Sequence, residues 1–274
     1  MRKLFEDFES DFFRFAEALK PFDESVVIVG GWLPFLYTKY YWKNLKEEIV
    51  FTKDIDLGVR YFFRKNYAET LEESFRRLSF PEMPASDAEA TPVCFFLKKD
   101  ALGEIPIDVI SADPDPGQFQ RMTGKNIEVI NSLDNFDILL NPQNTMTLPC
   151  VFEGKLFSLS VPHPAAYLFH KGISFDERSQ KPGSTHKFQK DLWSIFFVLW
   201  NTPESFKKDT FQKIAAFKSH REYPRFLKNL SGHFKNRRSI GSKAVHSFYP
   251  NRDDTFRDLI VETIQTLLQY LQND

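Results

Sequence analysis

Apolar residues recur at helical spacing over residues 3–20, where Phe5, Phe8, Phe12, Phe13, Phe15 and Leu19 are separated by acids, and Pro21 closes the segment. This pattern predicts an amphipathic helix laid against a sheet. It gives way to a β-branched run, Val26 to Val29, that ends in Gly30-Gly31. An apolar and aromatic segment with helical spacing follows. A polar connection then leads to a second strand-like run carrying Asp54 and Asp56. Beyond it, residues 66–78 read as helix, PEMPASDAEATP as a loop, and 93–97 and 103–110 as strands. Residues 127–130, 150–152 and 156–161 read as short strands, the last two paired through Glu153-Gly154. From Pro162-His163-Pro164 onward the pattern is helical. Helices are predicted over 165–172, 187–200, 203–218, 223–237 and 253–272, with a polar loop, DERSQKPGSTH, after the first. The chain thus divides into an α/β domain over 1–161 and a helical domain over 162–274, an α+β organisation.

Composition narrows the picture. The 274 residues are 42% hydrophobic and 27% charged with a net charge of −1, so the chain as a whole presents no field for nucleic acid. The 30 phenylalanines read as core filling. Cys94 and Cys150 both sit in apolar, strand-like surroundings, which predicts buried reduced thiols and a cytoplasmic location. No spacing of Cys and His suits zinc. The N-terminus, MRKLFEDFES, has acids where a signal peptide needs an apolar core, and no run approaches the roughly 20 apolar residues of a membrane span. Charge is uneven, however. Residues 201–243 carry eleven Lys and Arg against three Asp and Glu. Such a run reads either as a solvated face or as a landing surface for a polyanion such as RNA. Tyr223, Phe226, Phe234 and Phe248, interleaved with it, read as core.

Candidate chemistry concentrates between residues 26 and 57. In a strand, residues two apart share a face, so Asp54 and Asp56 project side by side. Two carboxylates in that position repel unless a cation lies between them, and magnesium, which takes oxygen ligands, suits them. A Gly-Gly turn opening a helix lets backbone approach a ligand, and the helix start favours phosphate. Each part alone also reads as a turn or a solvated strand edge. Asp108, inside the apolar run 103–110, reads either as exposed or capping, or as a third metal ligand on a neighbouring strand. The segment 114–126 is no P-loop: six residues separate Gly117 from Gly124 where four are needed, and Asn126 stands where Ser or Thr belongs. It reads as a mobile loop.

VVIVGGW and TKDIDL, then IDVI, then HPAAYLFHK and KFQKDLWSI resemble the nucleotidyltransferase superfamily of DNA polymerase β, over roughly residues 25–200. Within it the chain looks most like the bacterial branch that includes AbiEii-type toxins and related uncharacterised proteins. The resemblance implies a mixed β-sheet flanked by helices, followed by a C-terminal helical domain. It implies that Asp54, Asp56 and Asp108 are the catalytic acids and the metal ligands, holding two Mg²⁺ ions with a bound nucleoside triphosphate. It implies nucleotide binding by Gly30 and Gly31, by Lys171 toward the triphosphate, and by Asp191 near the active site. Arg178 and Lys187 are weaker candidates for the phosphates. Where many members place Ser after the glycine, this chain has Trp32. The activity implied is transfer of a nucleoside monophosphate to a hydroxyl of RNA (tRNA in a toxin-like case), of a protein or of a small molecule, with RNA favoured by the basic 201–243 region. An antitoxin partner belongs to the same expectation. The alternatives are a silent nucleotide-binding module of the same fold and a toxin–antitoxin interaction protein.

Overall fold

Eight strands and a set of helices form along the chain in a computed structural model that describes residues 2–22, 24–44, 54–60, 67–80, 82–84, 93–99, 103–111, 122–124, 127, 129–131, 135–179 and 185–273. The side chains of Cys94 and Arg178 lie outside that description. The chain divides into two compact units, Met1–Leu33 with Phe51–Pro162, and Pro34–Val50 with His163–Asp274.

In the first unit, helix α1 (Arg2–Leu19) buries Phe12, Phe13, Phe15, Ala16 and Leu19 along one stripe. Pro21 falls in a 3-10 turn, Lys20–Phe22. Strand β1 (Val26–Val29) is buried throughout and pairs antiparallel with β2 (Ile55–Val59). The other strands of this sheet are β3 (Glu82–Pro84), β4 (Val93–Lys99), β5 (Gly103–Ser111) and β6 (Val129–Asn131). Their order is β1-β2-β5-β4-β3, with β6 also on β5. The β2–β5 and β5–β6 pairs are parallel, the rest antiparallel. A separate hairpin, β7 (Thr145–Phe152) and β8 (Lys155–Pro162), turns at Glu153-Gly154, both with positive φ (47° and 74°), as a tight two-residue turn requires. Val27, Val29 and Ile110 form one apolar cluster with Phe136, Leu139 and Leu140, the last two from the short helix Asp137–Leu140. Arg60, one residue past β2, ties these parts together. It donates to the carbonyl oxygens of Leu140 and Glu24 and to the Thr145 hydroxyl, at 2.8, 2.6 and 2.7 Å.

The second unit is helical. Counting α2 (Leu33–Leu36), α3 (Leu71–Arg77) and α4 (Asp137–Leu140) before it, its helices are α5 (Pro164–Ser179), α6 (Thr185–Asn201), α7 (Glu204–Ala215), α8 (Tyr223–His233), α9 (Ile240–His246) and α10 (Phe256–Asn273). They enclose Phe169, Phe175, Leu192, Phe196, Phe226 and Ile264. Phe169 stacks on Phe217 with centroids 4.5 Å apart. His163 caps α5: Pro164 takes the first helical position, and the Ala165 N–H donates to His163 Nδ1 at 3.1 Å.

Several element boundaries differ from the sequence pattern. The segment read as the loop DERSQKPGSTH is helical through Ser179 and again from Thr185. Part of the loop PEMPASDAEATP is strand β3, paired with β4. The helix placed at 66–78 starts at Leu71, because Thr70 and Glu73 cap each other's backbone N–H groups reciprocally. The strand placed at 127–130 is Val129–Asn131. Helix α8 stops at His233, short of 237, and α9 was not visible as a helical pattern. The segment 114–126 lies outside the described residues apart from 122–124, where Met122 and Thr123 are buried.

Candidate active site

The parallel pairing of β2 with β5 places Asp56 beside Asp108. On the other flank of β2, Val29 pairs with Asp56, so the end of β1 delivers Gly30 to the same place. Asp54 precedes Asp56 by two residues and shares its face. One carboxylate oxygen from each of Asp54, Asp56 and Asp108 lies within 4.8 Å of the others, and all three side chains are half-buried. The same sheet face continues into Gly58 and Ile110, where Leu140 packs so closely that a Cβ on Gly58 would fall 2.5 Å from it. One face is therefore divided along the strands into an acidic end and an apolar end.

Gly30 has φ of +74°, and a Cβ built there would lie 1.7 Å from Asp56 Oδ2. The missing side chain is the space the carboxylate occupies. The sequence pointed to this glycine as a place for a ligand to approach backbone; its contact with one of the acids was not legible there. Gly31 is half-buried in the same 3-10 turn, Gly30–Trp32. Trp32 turns into the core and stacks on Phe12, with centroids 4.6 Å apart.

The helix expected after the glycines is a composite. Leu33 N–H bonds back to the Gly30 carbonyl in 3-10 fashion. Pro34 has no N–H with which to make the α-type bond to that carbonyl. One α turn, Leu33–Leu36, leads into a π turn, Tyr37–Tyr41, closed by Trp42 N–H on the Tyr37 carbonyl at 2.8 Å. The Thr38 hydroxyl donates to the Pro34 carbonyl at 2.8 Å and competes for the backbone acceptor.

In the helical unit, Lys171 of α5 and Asp191 of α6 form an ion pair of 2.5 Å, with side chains 12% and 4% exposed. Lys171 Nζ also lies 5.9 Å over the Tyr167 ring. The two residues singled out separately in the sequence are thus partners of each other. Lys187 is exposed at the start of α6. Cys150 faces inward from β7, and burial, reinforced by the nearby Glu9 carboxylate, pushes its thiol up to about 12. It is no nucleophile.

The sequence model of a family described as Nucleotidyltransferase matches residues 10–216, about three quarters of the chain. The chain belongs to that nucleotidyltransferase family. The family match reaches the nucleotidyltransferases and stops short of the AbiEii-type branch. Among curated proteins none matches. A crystal structure of an antigenic nucleotidyltransferase-like protein from Paracoccidioides brasiliensis is similar at 16% identity, over 74% of this chain and 84% of that one, with a TM-score of 0.38. For a nucleotidyltransferase, an all-oxygen set of three converging carboxylates is a donor set that could hold a hard divalent cation. No helix among the described residues is long and apolar enough to cross a membrane.

Proposed function

We propose that the protein transfers a nucleoside monophosphate from a nucleoside triphosphate to a hydroxyl acceptor, with Mg²⁺ held by Asp54, Asp56 and Asp108. The observation that carries this reading is the convergence of the three carboxylate oxygens within 4.8 Å, in a chain of the nucleotidyltransferase family. Bound Mg²⁺, two ions when the triphosphate is present, would supply the positive charge that neutralises the phosphates and the developing acceptor oxyanion. Asp54 and Asp56 are assigned to both ions and Asp108 to the one on the acceptor side. The acceptor oxygen attacks the α-phosphorus, the bond to the β-phosphate's bridging oxygen breaks, and pyrophosphate leaves. Asp108 is the carboxylate assigned to take the acceptor proton. Gly30 keeps room for Asp56, and Gly31 beside it offers backbone unobstructed by a side chain to the phosphates. Lys171 and Asp191 enter as nucleotide-binding candidates, with the Lys171 ammonium as a point donor to phosphate. An antitoxin partner is the further expectation of a toxin-like member.

The test is calorimetric titration of ATP, GTP, CTP and UTP with Mg²⁺ into the wild type and into Asp54→Ala/Asp56→Ala. Binding that requires both the magnesium and the aspartates is expected for one or more of the four. If none binds to the folded wild type, the transfer reading fails, and a silent or interaction role for the fold replaces it.

A further inference from the structure

The helical unit contains a stretch whose charge is one-sided. Residues 223–252 include seven Lys and Arg and no Asp or Glu. They make up helix α8, the turn 234–239, helix α9 and the chain leading to α10. Six apolar side chains of this stretch, Tyr223, Phe226, Leu230, Phe234, Val245 and Tyr249, are buried. Lys228, Lys235, Arg237, Arg238 and Lys243 are exposed. Among the described residues Lys228, Lys235, Arg238 and Lys243 have no ion-pair partner, while Arg237 reaches Asp258 at 3.7 Å.

The turn that carries the middle of this set is tied down. Asn236 N–H donates to Ser239 Oγ, and Arg238 N–H to Asn236 Oδ1, both at 2.9 Å. The Gln265 side chain of α10 donates to the Phe234 carbonyl at 2.9 Å. Lys228 sits on α8, Lys235 and Arg238 in the turn that follows it, and Lys243 on α9. The result is a set of four exposed cations, Lys228, Lys235, Arg238 and Lys243, with no ion-pair partner among the described residues, on a fixed scaffold.

Its chemistry selects among possible partners. Single-stranded nucleic acid is held largely by stacking on exposed aromatic rings, and no ring of this stretch is exposed: Tyr223, Phe226, Phe234 and Tyr249 are buried and Phe248 is half-buried against Trp193. Protein interfaces draw most of their energy from buried anchors, and the large apolar side chain this stretch exposes is Ile240. Isolated point charges without stacking platforms match a regular array of phosphates, where affinity comes from counterion release. We propose that this face docks an RNA acceptor through the backbone phosphates of a base-paired stem, without reading its bases. The proposal rests on the nucleotidyl-transfer reading for calling that RNA an acceptor.

The experiment is fluorescence anisotropy of a labelled RNA hairpin with the full chain between 50 and 200 mM salt. Four phosphate contacts predict a log–log salt slope near −3.6 and an affinity loss of about a hundredfold over that range. The triple variant Lys235→Glu/Arg238→Glu/Lys243→Glu is expected to weaken binding at least tenfold and flatten the slope by about 3. Lys207→Glu/Lys213→Glu, on α7, where Glu204 and Asp209 already pair these cations, should move affinity by less than threefold. A wild type that ignores the hairpin at 50 mM salt overturns the proposal. So does a folded triple variant that binds as well as the wild type, or tighter binding of single-stranded poly(U) than of the hairpin. Magnesium-dependent nucleotide titration on the same samples separates the two readings. Hairpin binding without nucleotide binding removes the transfer reading and leaves the docking face. Nucleotide binding without hairpin binding does the reverse.

Discussion

At Gly30 two constraints fall on one residue. Its φ of +74° costs an L-residue about 1 kcal/mol, and a Cβ would collide with Asp56 Oδ2. Gly154 has the same φ of +74° with nothing within 4 Å of a built Cβ. The pair separates backbone strain from collision. Gly154→Ala should lose about 1 kcal/mol in urea unfolding, and Gly30→Ala about 2–4 kcal/mol together with magnesium-dependent nucleotide binding. Cys150 gives a second residue-scale expectation. With its thiol pushed up to about 12 chiefly by burial, its peptide should stay unmodified by iodoacetamide at pH 8 in the folded protein and label fully in urea, as read by peptide mass mapping. The positions of both residues were plain in the sequence. The collision at Gly30 was not, because it depends on a carboxylate 26 positions away in the chain.

Between elements, the Lys171–Asp191 pair joins α5 to α6 across a nearly dry contact. Removing one partner of a buried pair leaves the other charge uncompensated, at a cost of about 3–5 kcal/mol. Lys171→Met should therefore destabilise strongly in urea unfolding, and Lys171→Met/Asp191→Leu should recover most of the loss. If the lysine also serves the triphosphate, the double variant stays folded and loses nucleotide affinity. Element boundaries were legible where local chemistry marks them. Thr70 and Glu73 form a capping box that a reading of T-x-x-E would have placed, so the early start at 66 was an error of pattern over cap. Strand β3 was invisible because three residues gain their strand character only by pairing with β4. Helix α9 holds Gly241 and Ser242, poor helix formers, in buried positions against the rest of its unit, where packing overrides propensity.

Across the whole molecule, acid stability should carry the signature of His163. Burial first, then the Lys213 charge, pushes its ring down to about 4, against the upward pull of Asp209 at 3.3 Å. Protonating the ring would also take from Nδ1 the lone pair that accepts from Ala165. The unfolded ring titrates near 6.5, so between the two values the unfolded chain binds a proton that the folded one excludes. This contribution is complete above about pH 6.5, declines as pH falls, and is gone below about pH 4. Its size is on the order of 3 kcal/mol. Urea midpoints at pH 7 and pH 4.5 should differ more for the wild type than for His163→Asn, whose amide can keep the cap without titrating; equal differences would count against the assignment.

The sequence by itself determined the alternation of elements, the helical second half, a core filled largely by Phe side chains, and three acids worth attention. These are written in short-range periodicity and residue type, which depend on neighbours a few positions apart. Tertiary structure alone decided that β2 and β5 are parallel neighbours in a register that sets Asp56 beside Asp108. It also decided that Gly30 yields its side-chain space to Asp56, that Lys171 and Asp191 are one ion pair, and that Pro34–Val50 clusters with the helical unit. Each of these joins residues far apart in the chain, and only the folded geometry carries that information.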